Sequence, residues 1–323
     1  MKGLRKVLTP FAPDQSGAVS VLYTLGALTV IIDAGGCTGN ICGFDEPRWR
    51  NTKSAVFSAG LRDMDAIMGA DEALADKIAA AANEISPSFI ALVGTPVPAV
   101  TATDYRFLKK TIEKKTSLKV ICVDTNGMEL FDKGQEKTLF AVYDEFAREA
   151  YEINPERVNI LGACPVDFAA HCSALTLDEI KSASAARMNI AVSPAAVKTA
   201  RLLKERFKTP YKIYCPPSLW KLPEADYENK NVLIVHQHVL ADTLRKEIYR
   251  RGAAKADAAS WFMLCEDIRK PGDISLKEED DFENLVKTHS FDIIIADEAL
   301  KPLAKDFKGV WLDYPHHALS GRI

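Results

Sequence analysis

The chain has 323 residues, 47% of them hydrophobic and 26% charged, with a formal net charge of -3. That length suits two or three ordinary domains, each with its own core. So small a net charge gives no reason to expect nucleic acid or an anionic membrane surface as a partner.

Met1 to Ser16 carries charges and two prolines rather than the apolar stretch of a secretory signal. The longest apolar run, around residues 21–32, is interrupted and breaks at Asp33, too short to span a bilayer. There are 7 cysteines, at 37, 42, 122, 164, 172, 215 and 265. An odd number in a long chain without a leader fits a reducing cytoplasm, with thiols or metal ligands rather than disulfides.

In chain order, "LTVIID" (28–33) reads as a buried strand. "DEALADKIAAAANEI" (71–85) reads as a helix, with Leu74, Ile78, Ala82 and Ile85 on one face. "FIALVG" (89–94) is a strand, "DYRFLKKTIEKK" a helix, "LKVICVD" (118–124) a strand and "EKTLFAVYDEFAREAYE" a long helix. A second group begins with the strand "RVNILG" (157–162). Thr176 and Glu179 have the spacing of a capping box opening a helix. The strand "MNIAVS", the helix "PAAVKTARLLKERF" and the strand "YKIYC" follow. "PPSLWKLPEADYENK" (216–230) has no period and three prolines, and reads as a linker. A third group holds the strand "NVLIV", the helix "LADTLRKEIYRR" stopped by Gly252, the helix "EEDDFENLVKT", and the strands "FDIIIAD" and "GVWLD".

Continuous apolar strands separated by helices imply parallel sheets covered on both faces. The expected fold is α/β, organised as an N-terminal α/β domain (1–153), a second α/β domain (154–220) and a C-terminal α/β domain (221–323). In such sheets ligands bind beyond the C-terminal strand ends. The segment after residue 33, Pro96, Thr125 and His236 all follow a strand end.

Several chemistries are missing their motifs. There is no GxxxxGK[ST] for ATP, no GxGxxG, no CxxC and no GxSxG; Gly35, Gly36, Gly39 and Gly43 have the wrong spacing for a dinucleotide loop.

The stretch "IIDAGGCTGNICGFDEPRWR" (31–50) places Cys37 and Cys42 in a glycine-rich loop. One reading is iron–sulfur ligation, since thiolates hold such clusters and glycines let backbone N–H groups approach the sulfides. Two ligands do not complete a cubane, but a symmetric dimer with the loop on its axis brings four. The other reading is two buried structural cysteines in a turn. Asp45, Glu46 and Arg48 are either a solvated loop or an oxygen ligand and a docking charge. The remaining cysteines read as small hydrophobes. His236 and His238 would share one face of a strand, yet they straddle a strand end and no third ligand follows. His316 and His317, after "LDYP", are candidates to line an interdomain pocket and carry protons.

The order of segments resembles the nitrogenase component 1 family, which includes the nitrogenase MoFe-protein subunits, dark-operative protochlorophyllide reductase, chlorophyllide reductase and the Ni-sirohydrochlorin a,c-diamide reductive cyclase. "DAGGCTGN" resembles the family's Gly-Pro-x-Gly-Cys segment, with Cys37 at the first cluster-ligand position. "AVFSAGLRDMDAIMGADEALADKI", "PSFIALVGTPVPAVTATDY" and "LKVICVDTNGM" are similar to the next three segments, and "RVNILG", the stretch 176–211 and "FDIIIADEALKPLAKDFKGVWLDYP" to later domains. Departures are clear. Pro96 stands at the second ligand position and Thr125 at the third, Cys122 lies three residues early, and Cys42 is an addition. The cysteine and histidine that hold the nitrogenase active-site cofactor have no match, so nitrogen fixation is not expected.

The resemblance implies three Rossmann-like domains with parallel sheets around a central cavity, in a homodimer or a heterodimer with a paralogue. It implies the catalytic component of a two-component, ATP-dependent reductase served by a nitrogenase iron-protein-like ATPase. A [4Fe–4S] cluster shared across the dimer interface, held by Cys37 and Cys42 of each protomer, would relay electrons to a small-molecule or tetrapyrrole substrate. Gly35, Gly36 and Gly39 would wrap the cluster and donate backbone hydrogen bonds. Arg48 and Arg62 would stabilise its charge or fix the loop, and His236, His316 or His317 would deliver protons. A non-catalytic scaffold that assembles and hands on a cluster or cofactor is the alternative, and a clusterless binding protein a third. No nucleic acid or membrane enters any of these readings.

Overall fold

The computed structural model describes residues 5–101, 103–164 and 175–322. Cys172, counted above among the small hydrophobes, lies outside the described residues. The chain divides into two compact units, Ala12–Pro155 with Ser173–Ala186, and Met1–Phe11 with Glu156–Cys172 and Arg187–Ile323. Among the described residues no helix is long and apolar enough to cross a membrane.

The first unit runs α1 (Asp14–Leu22), β1 (Ala27–Ile31), α2 (Gly36–Asn40), β2 (Ala55–Ser58), α3 (Asp63–Met68), α4 (Asp71–Ile85), β3 (Phe89–Val93), α5 (Pro96–Thr101), α6 (Tyr105–Thr116), β4 (Val120–Val123) and α7 (Phe131–Phe146). Its strands form one parallel sheet in the order β2-β1-β3-β4. The register sets Leu28 against Ala55 on one side and Ile90 on the other. Every residue of β1 and β3 is buried, while the edge strand β2 is half open. This is why the central strands read as unbroken apolar runs. Leu28, Val30, Ile90 and Leu92 pack with Leu74 and Ile78 of α4 and Leu108 and Ile112 of α6. Ile85, expected on the buried face of α4, is exposed in its last turn.

Helix α1 was not expected from the sequence. All of its residues are buried, so it carries no amphipathic stripe to read. It packs against α7 at backbone contact. A Cβ built on Gly17 would come 1.8 Å from the carbonyl oxygen of Phe131, and one on Gly134 would come 1.7 Å from that of Asp14. The carboxylate of Asp14 accepts from the backbone N–H groups of Asn126 and Gly127, fixing the turn after β4.

Helix α7 ends at Phe146, short of the expected stretch to Glu152. Residues 147–152 include good helix formers, but Ser184 captures them. Its Oγ accepts from the N–H of Tyr151 and donates to the carbonyl of Glu149. Tertiary bonding overrides propensity here. The next helix, α8 (Leu177–Lys181), opens with the expected capping box. Glu179 N–H donates to Thr176 Oγ1, and Thr176 N–H donates to the Glu179 carboxylate.

The second unit contains β5 (Asn154–Leu161), whose first two residues belong to the first unit, β6 (Ala186–Ala191), α9 (Val197–Phe207) and β7 (Tyr211–Ile213), in a three-stranded sheet ordered β5-β6-β7. It continues with β8 (Asn231–Val235), α10 (His238–Arg250), β9 (Lys255–Ser260), β10 (Asp273–Ser275), α11 (Glu279–Thr288), β11 (Ile293–Ala296), β12 (Val310–Asp313) and α12 (His317–Ser320). Those five strands form a parallel sheet ordered β10-β9-β8-β11-β12. Strands β9 and β10 were not expected. "KADAAS" is alanine-rich and weak in strand propensity, and its place beside β8 decides its state.

The α1–α7 contact reverses the usual sign of a glycine substitution. In an exposed helix interior Gly→Ala stabilises by about 1 kcal/mol. Gly134→Ala should instead destabilise by roughly 1–3 kcal/mol through forced displacement of α1, seen as a lowered thermal midpoint. An unchanged midpoint would refute the close contact.

Candidate functional site: the cysteine loop

The loop after β1 is built around two buried carboxylates. Asp33 is 1% exposed. It accepts from Thr38 N–H at 2.8 Å, from Thr38 Oγ1 at 3.1 Å and from Ser58 Oγ at 2.6 Å. Its own carbonyl accepts from Leu61 N–H. One residue thus joins the end of β1, the start of the loop and the end of β2. The chain bends at Gly35, whose φ of 114° is open to glycine at little cost, and enters α2 with Cys37 on its first turn. Ile41 is buried and anchors a wide turn, Ile41–Asp45, that carries Cys42. Such one-turn widenings of a helix occur often at functional sites.

The second carboxylate, Glu46, is also buried. Arg48 donates to it from its backbone N–H at 3.0 Å, Nε at 2.7 Å and Nη2 at 2.6 Å. Nη2 also reaches the carbonyl of Ser20 on α1, and the guanidinium lies 4.6 Å from the Tyr23 ring centre. Asp45 accepts from Ser16 Oγ at 2.7 Å. The loop is therefore clamped to α1 by Ser16, Ser20 and Tyr23. Glu46 is committed to Arg48, which leaves it poorly placed as a metal ligand.

Cys37 and Cys42 are both partly exposed. A Cβ on Gly36, Gly39 or Gly43 would meet nothing within 4 Å. These glycines are not required by packing, and they leave room beside the thiols. Both thiols are pushed above their ordinary range. For Cys37 burial is the larger cause and the charge of Asp33 the next; for Cys42 burial leads and Glu46 follows. Among the described residues no group of three or more His, Cys, Asp or Glu is placed to hold a metal ion. One chain thus offers two thiol ligands here, and a cluster of four iron atoms needs further ligands from elsewhere.

Other strand ends on the same sheet edge are closed. Thr125 is buried with its hydroxyl on the carbonyl of Gly94 at 2.7 Å, and Pro96 opens α5. Cys122 points its thiol at the Tyr105 carbonyl, 3.7 Å away, and is pushed up to about 11 by burial. Arg62 is exposed at the start of α3, where its N–H donates to Asp65.

The three candidate histidines belong to the other compact unit. His236, His316 and His317 are all buried. His236 Nε2 lies 3.0 Å from the Pro315 carbonyl, and its ring sits 4.5 Å from that of His316. His238 does not pair with His236 as a metal ligand. Its Nδ1 accepts from Cys265 N–H at 2.9 Å, so Nε2 carries the proton and donates to Asp273 at 2.8 Å. Both ring nitrogens are spent. The sequence reading missed Asp33, the α1 residues Ser16 and Ser20, and Tyr23 just after that helix. Only an acidic residue stopping an apolar run pointed to the first, and nothing local pointed to the others.

The two units belong to the broad class of parallel α/β proteins, and the comparisons with known proteins make the class specific. Residues 17–176 match the family described as Nitrogenase component 1 type Oxidoreductase. No curated protein matches the chain. Two of the solved structures that share the fold are nitrogenases. "Nitrogenase Cp1 at pH 6.5" has a TM-score of 0.71 at 12% identity, covering 97% of this chain and 87% of that one. "Nitrogenase Cp1 at pH 5" has a TM-score of 0.74 at 13% identity, covering 100% and 86%. The match places residues 17–176 in the nitrogenase component 1-like family, a family of oxidoreductases that bind iron–sulfur clusters and usually work with a partner reductase component, and the fold of the whole chain is that of the nitrogenase structures.

The charge of Asp33 makes a testable difference between the two thiols. In metal-free protein at pH 8, Asp33→Asn should speed alkylation of Cys37 severalfold, because removing the charge lowers its pKa and raises the thiolate fraction. Cys42, raised by burial and Glu46, should change little. Peptide mapping by mass spectrometry reads both; equal acceleration of the two thiols would overturn the assignment.

Proposed function

We propose that this chain is the catalytic component of a two-component, ATP-dependent reductase. It acts as a homodimer in the cytoplasm, and Cys37 and Cys42 of both copies hold one [4Fe–4S] cluster. The observation that carries this reading is the pair of partly exposed thiols on a continuous turn, beside glycines that face open space. The cluster, when bound, supplies single-electron transfer.

The chain's own residues have distinct parts in this scheme. Gly35 makes the bend, and Gly36 and Gly39 give the cluster room. Gly39 N–H is already bonded to the Gly35 carbonyl, so it adds space rather than a hydrogen bond. Arg48, neutralised by Glu46, fixes the loop, and Arg62, exposed beyond β2, supplies positive charge towards the cluster. A nitrogenase iron-protein-like ATPase donates the electrons, and the substrate is a small molecule or tetrapyrrole. His236, His316 and His317 hand protons on. Burial holds His236 and His316 neutral, with His236 brought down to about 4, so they serve through N–H exchange rather than as imidazolium.

The exposure of the two thiols also suits a scaffold that releases its cluster to a client, and both schemes require a bound cluster. Iron and sulfide analysis tests that shared premise. Protein purified without oxygen should contain about four irons and four sulfides per dimer. Both Cys37→Ala and Cys42→Ala should lose them. Protein that takes up no iron on reconstitution would sink both schemes. Mixing loaded protein with an apo-ferredoxin then separates them, since a reductase retains its cluster and a scaffold gives it up.

A further inference from the structure

The histidines given proton delivery above form part of a cluster of titratable side chains at the C-terminal ends of β8, β11 and β12, whose response to acid does not depend on that role. His236 follows β8, Asp297 follows β11, and Tyr314 to His317 follow β12. The rings of His236 and His316 lie 4.5 Å apart with 33° between their planes. Phe262 stacks on His316 at 4.4 Å, and Tyr314 meets His236 edge-on at 5.4 Å. His236 Nε2 has the Pro315 carbonyl as a partner. Its Nδ1, and both ring nitrogens of His316, are buried without a hydrogen-bond partner.

Unpaired buried nitrogens cost stability, and a positive charge on either ring would cost more. A second charge on the neighbouring ring would add repulsion. Asp297 is the anionic group facing the pair, and it favours protonation of His236. Its oxygens are already engaged by the N–H groups of Ala299 and His316, each at 2.9 Å, by Ser320 Oγ, and by Arg322 at 3.5 Å. Asp313, at the end of β12, pairs with Arg322. His317 adjoins His316 and disfavours its charging. From the β8–α10 turn, Gln237 is bonded to the Val192 carbonyl and His238 to Asp273. From the segment after β9, Phe262 stacks on His316, and it stacks in turn on Phe11 of the N-terminal arm, whose ring carries the guanidinium of Arg5 at 3.7 Å.

We infer that the His236–His316 pair is an acid-sensitive latch that holds the C-terminal segment 314–322 while both rings are neutral and releases it when either is protonated. The segment is short enough to move as a unit, since its helix α12 spans four residues. Its tethers besides the ring pair include Tyr314 N–H on the Ala296 carbonyl, His316 N–H and Ser320 Oγ on Asp297, and Arg322 on Asp313 and Asp297, with His317, Ala318 and Leu319 buried. Burial lowers both histidines in the closed state, His236 to about 4. The released segment binds protons at the ordinary value near 6.5. The latch is therefore fully closed above pH 6.5 and weakens as pH falls from there towards 4.

Each ring held neutral should make opening about tenfold easier per pH unit in that window. Hydrogen exchange of the amides of 314–322, corrected for intrinsic rates, reads this directly, with the amides of α4 as reference. Between pH 6.5 and 5.0 the wild type should lose at least about 30-fold in protection over 314–322 and little in α4. His316→Phe keeps the stack on Phe262 but removes one titrating ring, so its pH dependence should be markedly shallower. A pH-independent wild type, or a variant as steep as the wild type, would overturn the latch. If the variant fails to fold, the native protein still decides by NMR. Ring signals of His236 and His316 that stay neutral down to pH 5 support the latch, and titration of either near 6.5 refutes it.

Discussion

A single buried carboxylate, Asp33, ties the cysteine loop to the sheet beneath it. It sits where β1 stops, and three hydrogen bonds from Thr38 and Ser58 converge on it. An ionised carboxylate this deep is tolerable only when its lone pairs are filled. The loop therefore has little freedom: Thr38 must return over Asp33, which sets the direction of α2 and so of Cys37. The same charge raises the neighbouring thiol and opposes its ionisation.

The loop's other end repeats the arrangement with a paired charge. Glu46 and Arg48 form an ion pair with side chains 2% and 16% exposed, packed on Tyr23. Such a pair contributes modest net stability, but breaking one side leaves a buried charge without a partner. Its value here is positional. It fastens residues 46–48 to α1, which itself lies at backbone contact with α7 through Gly17 and Gly134. The chain of constraint runs from helix packing to the loop without a flexible link.

The second unit uses the same means away from the cysteines. Arg245, 2% exposed, bridges Asp242 and Asp273, and Asp273 holds His238. That network satisfies every ring nitrogen of His238, whereas His236, two residues earlier, is left half-satisfied beside His316. Two histidines two residues apart at one strand end thus have opposite characters. Sequence spacing alone could not separate them, because the deciding partners, Asp273, Cys265 and Pro315, come from distant segments.

Local pattern determined much of this protein. The apolar runs of β1, β3, β8 and β11, the stripe of α4 and the capping box of α8 are set by residues within one turn or strand. These signals suffice for a parallel α/β fold, and the ordered segments suffice for the family. The glycine-rich stretch around Cys37 and Cys42 stands out in the sequence as a candidate site on its local composition alone. What the tertiary structure alone decided has a common cause. Helix α1 is buried all round, β9 is a weak strand former held by its neighbours, and α7 stops where Ser184 takes its backbone groups. Asp33, Glu46 and His238 owe their roles to partners remote in the chain. In each case the deciding energy comes from burial or from long-range hydrogen bonds, which periodicity and spacing do not record.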